Sequence, residues 1–359
     1  MKLKKFLGGI LAGLAIFTAP LSSQAATRDE IAAVNVVTAS DFQYWNADSP
    51  TLQKIVNFVE DVTNPNSPNF IPEGDRVATF DMDGTFYCET APIYFQEAMF
   101  FYRTLEDKSY NAPKEMVNFA NKIKPKVYNK TGLTKSESAQ YLKYLTKAYA
   151  GLTDEEYRAC VRKFMQTNET GLTNLKRGEA FYLPMVEIIS YLSNNGFDVY
   201  VDSACGVSTT RELIGDIFPI RYDRILASDF VYTSTKMGKE TPDKHFFDRN
   251  KEKIIISGEP LIENAKTRKI FSIMNQIGRQ PVLAFGNSSG DTSMFEYTLQ
   301  NRKYRSMAFY VLCDDTEREL GNPARAEKES ALAAKRGYNT ISMKNDWKTI
   351  YGDKVKREK

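Results

Sequence analysis

ATFDMDGTFYCE, residues 78–89, sets Asp81 and Asp83 on either side of one methionine, at the end of a short apolar run. Residues 76–81 are β-compatible and lack polar alternation, the pattern of a strand buried on both faces of a parallel sheet. Ligands of open α/β sheets sit beyond the carboxyl ends of the strands, so two carboxylates where a strand stops are placed for chemistry. Gly84 allows the chain to turn there, and Thr85 can bond back to fix the turn.

The same strand-then-helix rhythm continues downstream. PMVEIISYLSNNG predicts a helix ended by its glycine, FDVYVDS a strand, TTRELIGDI a helix and DRILASDF a strand. ENAKTRKIFSIMNQIG, PVLAFGNS, DTSMFEYTLQ and SMAFYVLCD continue as helix, strand, helix and strand, and ARAEKESALAAKRG with YNTISM adds a last pair. Alternation of this kind predicts an α/β fold, a doubly wound parallel sheet with helices on both faces. Residues 92–180 are rich in Lys, Glu and Tyr and read as a helical insertion, which divides the core into residues 76–91 and 181–352. Residues 26–75, with one helix at SPTLQKIVNFVEDV, form an N-terminal appendage, and 353–359 a basic, solvated tail.

Composition excludes several functions. The chain has 359 residues, 42% of them hydrophobic, with a formal charge of +3 and one histidine, His245. Lys2, Lys4 and Lys5 precede an apolar run from Phe6 to Leu21 and a small-x-small Ser23-Gln24-Ala25, so residues 1–25 predict a signal peptide and a periplasmic or secreted protein. The run is short and broken by glycines and Pro20, which argues against a retained membrane anchor. Without residues 1–25 the charge falls to about zero, which leaves no electrostatic pull on nucleic acid. Cys88, Cys160, Cys205 and Cys313 allow up to two disulfides but show no CxxC spacing for zinc. His245 lies in the polar, loop-like TPDKHFFDRN, so schemes needing a histidine base or a multi-histidine metal site are disfavoured. Carboxylate chemistry remains.

Other polar residues fall where apolar runs stop: Ser203 after VYVD, and Asn287 and Asp291 after VLAFG, with Lys266 near the start of the preceding helix. Singly, an Asp-x-Asp reads as a turn, a Ser after a strand as structural and a helix lysine as solvated. Together, converging from separate strand ends, they are the parts of a metal-assisted phosphoryl transfer. Asp81 suits a carboxylate nucleophile that forms an aspartyl-phosphate, and Asp83 an acid that protonates the leaving oxygen and then deprotonates water. Mg²⁺ would offset anion attacking anion, with Asp81, Asp83, Asn287 and Asp291 as its candidate protein ligands. Ser203, Gly84 and Lys266 are the candidate phosphate binders, the lysine neutralising charge shared with Asp81.

The chain resembles the haloacid dehalogenase superfamily on its phosphatase side, and is similar to its phosphoserine phosphatase-like members. DMDGT matches the first motif, VYVDSACG the second through Ser203, KTRKI the third through Lys266, and FGNSSGD the fourth, over residues 76–350. The resemblance implies a Rossmannoid core, a helical cap between the first and second motifs that closes on the substrate, Asp81 as nucleophile, Asp83 as acid/base, and Asp291 as the metal-site acid. Lys266 is taken over Lys269 because Ile270 then occupies the family's apolar position. Asn287 stands where many relatives carry Asp. The second aspartate of the first motif favours a phosphate ester whose alcohol must be protonated. The function expected is hydrolysis of a small phosphate monoester, with phosphotransfer to another alcohol, or a non-catalytic exported binding protein, as alternatives. Glu89, a few residues past the nucleophile, is the candidate for meeting an amino or quaternary ammonium group on the substrate.

Overall fold

The structure, a computed structural model, describes residues 25–89 and 93–358; the predicted signal segment up to Gln24 lies outside them. The appendage contributes helices α1, Arg28–Ala32, and α2, Pro50–Thr63. Ser49 starts α2 by accepting the Leu52 N–H, and Pro50 takes a first-turn position where no N–H is needed. The appendage is held fast to the core: buried Glu187 accepts the N–H groups of Gln43 and Tyr44, and Trp45 packs edge-on against Trp347.

Strand β1, Val77–Phe80, is buried throughout, as the unbroken apolar run predicts. The insertion that follows holds α3 (Phe95–Leu105), α4 (Lys114–Tyr128), α5 (Lys135–Lys147) and α6 (Asp154–Met165). Thr134 with Glu137, and Thr153 with Glu156, form reciprocal capping boxes that fix where α5 and α6 begin. The chain returns through α7 (Leu183–Asn194), β2 (Asp198–Gly206), α8 (Val207–Ile214) and β3 (Ile225–Ser228).

A second, smaller insertion comes next: β4 (Tyr232–Ser234) pairs antiparallel with β5 (Ile254–Ile256). Its strands leave no mark in the sequence, because three residues are too few for periodicity to register. The backbone of β5 bonds the loop between α5 and α6, with Ile256 paired to Gly151 and Leu152, so the two insertions join. His245 sits here, half-buried between Glu240 and Glu252.

The core resumes with α9 (Thr267–Ser272) and a π-helical turn at Ile273–Ile277, then β6 (Leu283–Gly286), α10 (Thr292–Leu299), β7 (Met307–Leu312), α11 (Pro323–Arg336) and β8 (Asn339–Ser342). The helix expected from Glu263 starts only at Thr267, because Lys266 has φ +55° and ψ −128°, which no helix accommodates. The sheet runs β3-β2-β1-β6-β7-β8, and every pair in it is parallel. Its register places Phe80 beside Phe285 and Phe285 beside Phe309, and their rings stack at 4.4 and 5.0 Å. From β1 the chain winds outward through β2 and β3, then crosses back to β6 and winds the other way. The crevice between the carboxyl ends of β1 and β6 is therefore the topological switch point, where such folds bind ligands.

Among the described residues, no helix is long and apolar enough to cross a membrane.

Candidate active site

A cavity of about 320 Å³ opens at that switch point. Asp81, Asp83, Asn287, Asp291 and Lys269 line its floor, and α3, α5 and the segment before α9 form its walls. The loop after β1 is wound tightly over one carbonyl: Met82 O accepts the N–H groups of Thr85, Phe86 and Tyr87, each at 3.1 Å. Thr85 thus closes the turn through its backbone; its hydroxyl is buried with no partner among the described residues, where a side-chain bond was expected. Gly84 has φ +79°, and a Cβ there would sit 1.8 Å from Asn287 Nδ2. Glycine is required both by backbone conformation and by the approach of the β6 loop.

Lys269 organises the floor. Its ammonium donates to Asp81 Oδ1 at 2.8 Å, Asp291 Oδ1 at 2.7 Å and the Asp202 carbonyl at 2.5 Å. Burial works to deprotonate it, yet Asp291, Asp81 and Asp202 hold its pKa above the ordinary lysine value. Lys269 is 1% exposed. Lys266 is exposed, outside the cavity lining, and reaches the site only through its N–H, which donates to Gly290 O. The expected assignment to Lys266 is therefore corrected to Lys269. The sequence did carry a signal: Lys269 and Ile273, four apart and both buried, form the stripe of this helical segment that faces the sheet, whereas Ile270 is only half-buried.

Burial, reinforced by Asp291, raises the Asp81 carboxyl to about 7 against the opposing pull of Lys269. Burial also pushes Asp83 well up, with Asp81 and Glu89 adding to the effect, and its Oδ1 is buried with no partner among the described residues. Asp291 spends both oxygens within the protein: Oδ1 on Lys269, and Oδ2 on the Asn287 N–H, the Ser288 N–H and the Ser288 hydroxyl. It shapes the β6 loop as much as it faces the cavity. Gly286 must lack a side chain because a Cβ there would meet Asp291 at 2.7 Å.

Ser203 is fully buried within β2 and does not line the cavity; its hydroxyl oxygen accepts the Cys205 N–H at 3.1 Å. Ala204 and Cys205 face the cavity instead, Cys205 as a free thiol that burial pushes up in pKa. Two neighbours missed from sequence support this end of the site: Asp202 accepts Asn264 Nδ2 at 2.7 Å, and Asn264 Nδ2 also reaches the Ser203 carbonyl at 3.2 Å. No pattern marks an asparagine 62 positions from its partner.

Glu89 does not line the cavity. It accepts the Asn287 amide at 2.9 Å and the Tyr94 hydroxyl at 3.0 Å, with Arg325 3.8 Å away. Because an ionised carboxylate only accepts, it fixes the amide nitrogen of Asn287 toward itself and leaves Oδ1 as the acceptor for other partners. The expectation that Glu89 meets the substrate gives way to a positioning role on Asn287.

The chain is similar to a protein of unknown function from Bordetella pertussis Tohama I, at 14% identity over 74% of this chain and 97% of that one, with a TM-score of 0.45. A functionally unknown protein from Anaerococcus prevotii matches at 12% identity over 81% and 91%, TM-score 0.47. A phosphoserine phosphohydrolase-like protein from Francisella tularensis matches at 13% over 74% and 94%, TM-score 0.38. No family model matches the sequence, and no curated protein does. With TM-scores below 0.5, the functional reading rests on the site's own geometry.

Proposed function

We propose that this chain is a Mg²⁺-dependent phosphate monoester hydrolase of the haloacid dehalogenase superfamily, acting through an aspartyl-phosphate on Asp81. The observation that carries the reading is the Asp81–Lys269–Asp291 chain of charges at the switch point, with Asp83 beside it, its Oδ1 unpartnered among the described residues. Lys269 holds Asp81 Oδ1, which orients the carboxylate and leaves its other oxygen to attack phosphorus. The same ammonium screens the charge that builds up as the phosphoryl group transfers. Asp83, whose Oδ1 has no hydrogen-bond partner among the described residues, carries the proton to the leaving alcohol and takes one from the attacking water.

The donors present fit Mg²⁺, a hard cation that takes oxygen ligands. Among the described residues no group of three or more His, Cys, Asp or Glu is arranged as a metal cluster. This follows from the composition of the site: Asn287 contributes an amide, and Lys269 occupies an oxygen of both Asp81 and Asp291. Asp81 and Asn287 would hold the ion beside Asp83, with Asp291 shaping the loop behind them. When bound, the ion supplies positive charge that lets a carboxylate approach a phosphate.

Two measurements test this reading. Turnover of an aryl phosphate is expected to vanish in excess chelator and to return with added Mg²⁺. Asp81→Asn is expected to lose at least about 10³-fold in kcat with its melting temperature kept, since an amide does not attack phosphorus. Full activity in chelator, or turnover near the parent rate in Asp81→Asn, would sink it. Export is proposed on the residue 1–25 pattern alone, and N-terminal sequencing of protein from the periplasm or medium should then begin at Ala26.

A further inference from the structure

The second insertion, none of whose residues 232–254 lines the cavity, is tied together at one buried carboxylate. Glu252 accepts the Ser234 hydroxyl and, at 2.6 Å, the Asp248 N–H, and it pairs with His245 Nε2 at 2.7 Å. His245 Nδ1 meets Glu240 at 3.2 Å, and the His245 N–H donates to the Thr241 carbonyl. Between the two anchors His245 and Asp248 stand Phe246 and Phe247, which are 94% and 51% exposed. Because the residue on either side is bound to Glu252, the aromatic pair is held out in solvent and is not free to fold back.

A single exposed apolar residue needs no explanation, but two adjacent rings, one almost free of protein contact, leave surface in water that a covering partner would remove. The charges around them indicate the partner. Lys236, Lys239, Lys244 and Arg249 are exposed, and their side chains make no hydrogen bond or ion pair among the described residues. Most acids of the segment are committed: Glu240 and Glu252 to His245, and Asp248 to Lys251 at 2.9 Å. Asp243 is the one exposed acid there without an ion pair among the described residues. The result is an apolar tip with a cationic collar.

A second copy of the chain meeting this tip about a two-fold axis would set collar against collar. A nucleic acid strand needs a basic groove along which its bases stack, whereas Phe246 stands off the surface. An anionic bilayer supplies both complements: phosphates for the collar, and an acyl boundary that admits a projecting ring without a preformed pocket. Aromatic side chains concentrate at that boundary. We propose that the Phe246–Phe247 tip docks the protein on anionic lipid surfaces, with Lys236, Lys239, Lys244 and Arg249 meeting the headgroups. This inference is independent of the reaction proposed above.

The test is co-sedimentation with vesicles of phosphatidylcholine, with and without phosphatidylglycerol. The chain from Ala26 is used, because it keeps every described helix and strand and lacks the apolar run of residues 6–21, which would itself hold lipid. It is expected to partition onto the phosphatidylglycerol vesicles at least about tenfold more than onto phosphatidylcholine alone, and to lose that preference in about 0.5 M salt. Phe246→Ser with Phe247→Ser should lower binding at least about tenfold. Phe246→Ser alone, at a ring with almost no protein contact, should lower it in the same direction with the melting temperature kept, so that weaker binding is not mistaken for poorer folding. Lys239→Gln with Lys244→Gln should reduce the preference for phosphatidylglycerol while leaving the weaker binding to phosphatidylcholine. Absence of binding, equal binding to the two vesicles, or binding indifferent to the phenylalanine changes overturns the proposal. Self-association, or retention of a single-stranded oligonucleotide, that the phenylalanine changes abolish while vesicle binding persists overturns it as well, and gives the tip to a second copy or to nucleic acid.

Discussion

The floor and the roof of the cavity are built on opposite terms. On the floor, Lys269 touches three partners and Asp291 four, and even the glycines are fixed by what a Cβ would strike. The roof is a set of helices packed through aromatic side chains, with Phe100, Phe101 and Tyr141 in mutual contact and Glu97 of α3 lining the cavity. A floor whose lysine and aspartate are tied to one another is preorganised, since those charges need not move when charge develops beside them. A sparsely polar roof instead offers a ligand mainly shape.

The sharpest way to break this comparison is to remove the ammonium from the floor. Lys269→Met leaves Asp81 and Asp291 buried without their counter-charge, a loss that for buried pairs runs to about 3–5 kcal/mol. Turnover should fall at least about 10³-fold, and the melting temperature should drop with it. A variant retaining a tenth of the parent rate would show that the floor's charges are not organised by this lysine.

The roof's own lock is Asp107, just past α3, which binds Arg103 at 2.7 Å and Lys163 of α6 at 2.7 Å. Burial tends to raise its pKa, but the bonds from Lys163, Ser109 and Arg103 win and hold it well below the usual value of 3.8. A depressed acid stabilises the fold fully above its unfolded value and loses that contribution as pH falls through its folded one. Asp107→Asn should therefore cost about 3 kcal/mol at neutral pH, and the gap in melting temperature to the parent should close in acid below pH 3.8. A gap that persists unchanged in acid would mean the pair does not lock α3 to α6. Because Asp107 lies off the floor, the metal requirement should survive the change.

Glu89 sits at the seam and tests which side it serves. As a positioning residue for Asn287, its change to Gln should lower activity about 10–100-fold, the usual effect of altering a group behind a metal ligand. Cationic, neutral and aryl esters should suffer alike, and more Mg²⁺ should be needed for half-maximal rate. Loss confined to amine-bearing esters would return Glu89 to the substrate.

The sheet and the floor carboxylates were legible in the sequence because each follows an unbroken apolar run, and burial on both faces writes that pattern directly. Asp81, Asp83, Asn287 and Asp291 all line the cavity as their positions after β1 and β6 imply. Contacts made across the chain were not legible. Glu89 is 198 positions from Asn287, and Lys269 is 188 from Asp81. Glu97 was hidden for another reason: a glutamate in a first helical turn has an ordinary structural purpose, and only the cavity shows that it faces inward.

The choice between two lysines three positions apart turns on backbone geometry, and the smallest prediction tests it. Lys266 has φ +55° with ψ −128°, a conformation that costs a residue with a Cβ on the order of 1–3 kcal/mol and costs glycine little. Its side chain makes no hydrogen bond or ion pair among the described residues, and its N–H to Gly290 O would persist in glycine. Glycine also gains entropy in the unfolded chain, which offsets about 0.5–1 kcal/mol of the relief. Lys266→Gly should thus be more stable by about 1 kcal/mol, a rise in melting temperature of roughly 2–4 °C for a chain of this size. Activity should stay close to that of the parent, because the bond that sets the start of α9, and with it Lys269, is made by the backbone. If Lys266→Gly instead lost turnover as Lys269→Met does, the exposed lysine would be the one that meets phosphate, and the floor would not be the closed, self-paired surface that separates it from the roof.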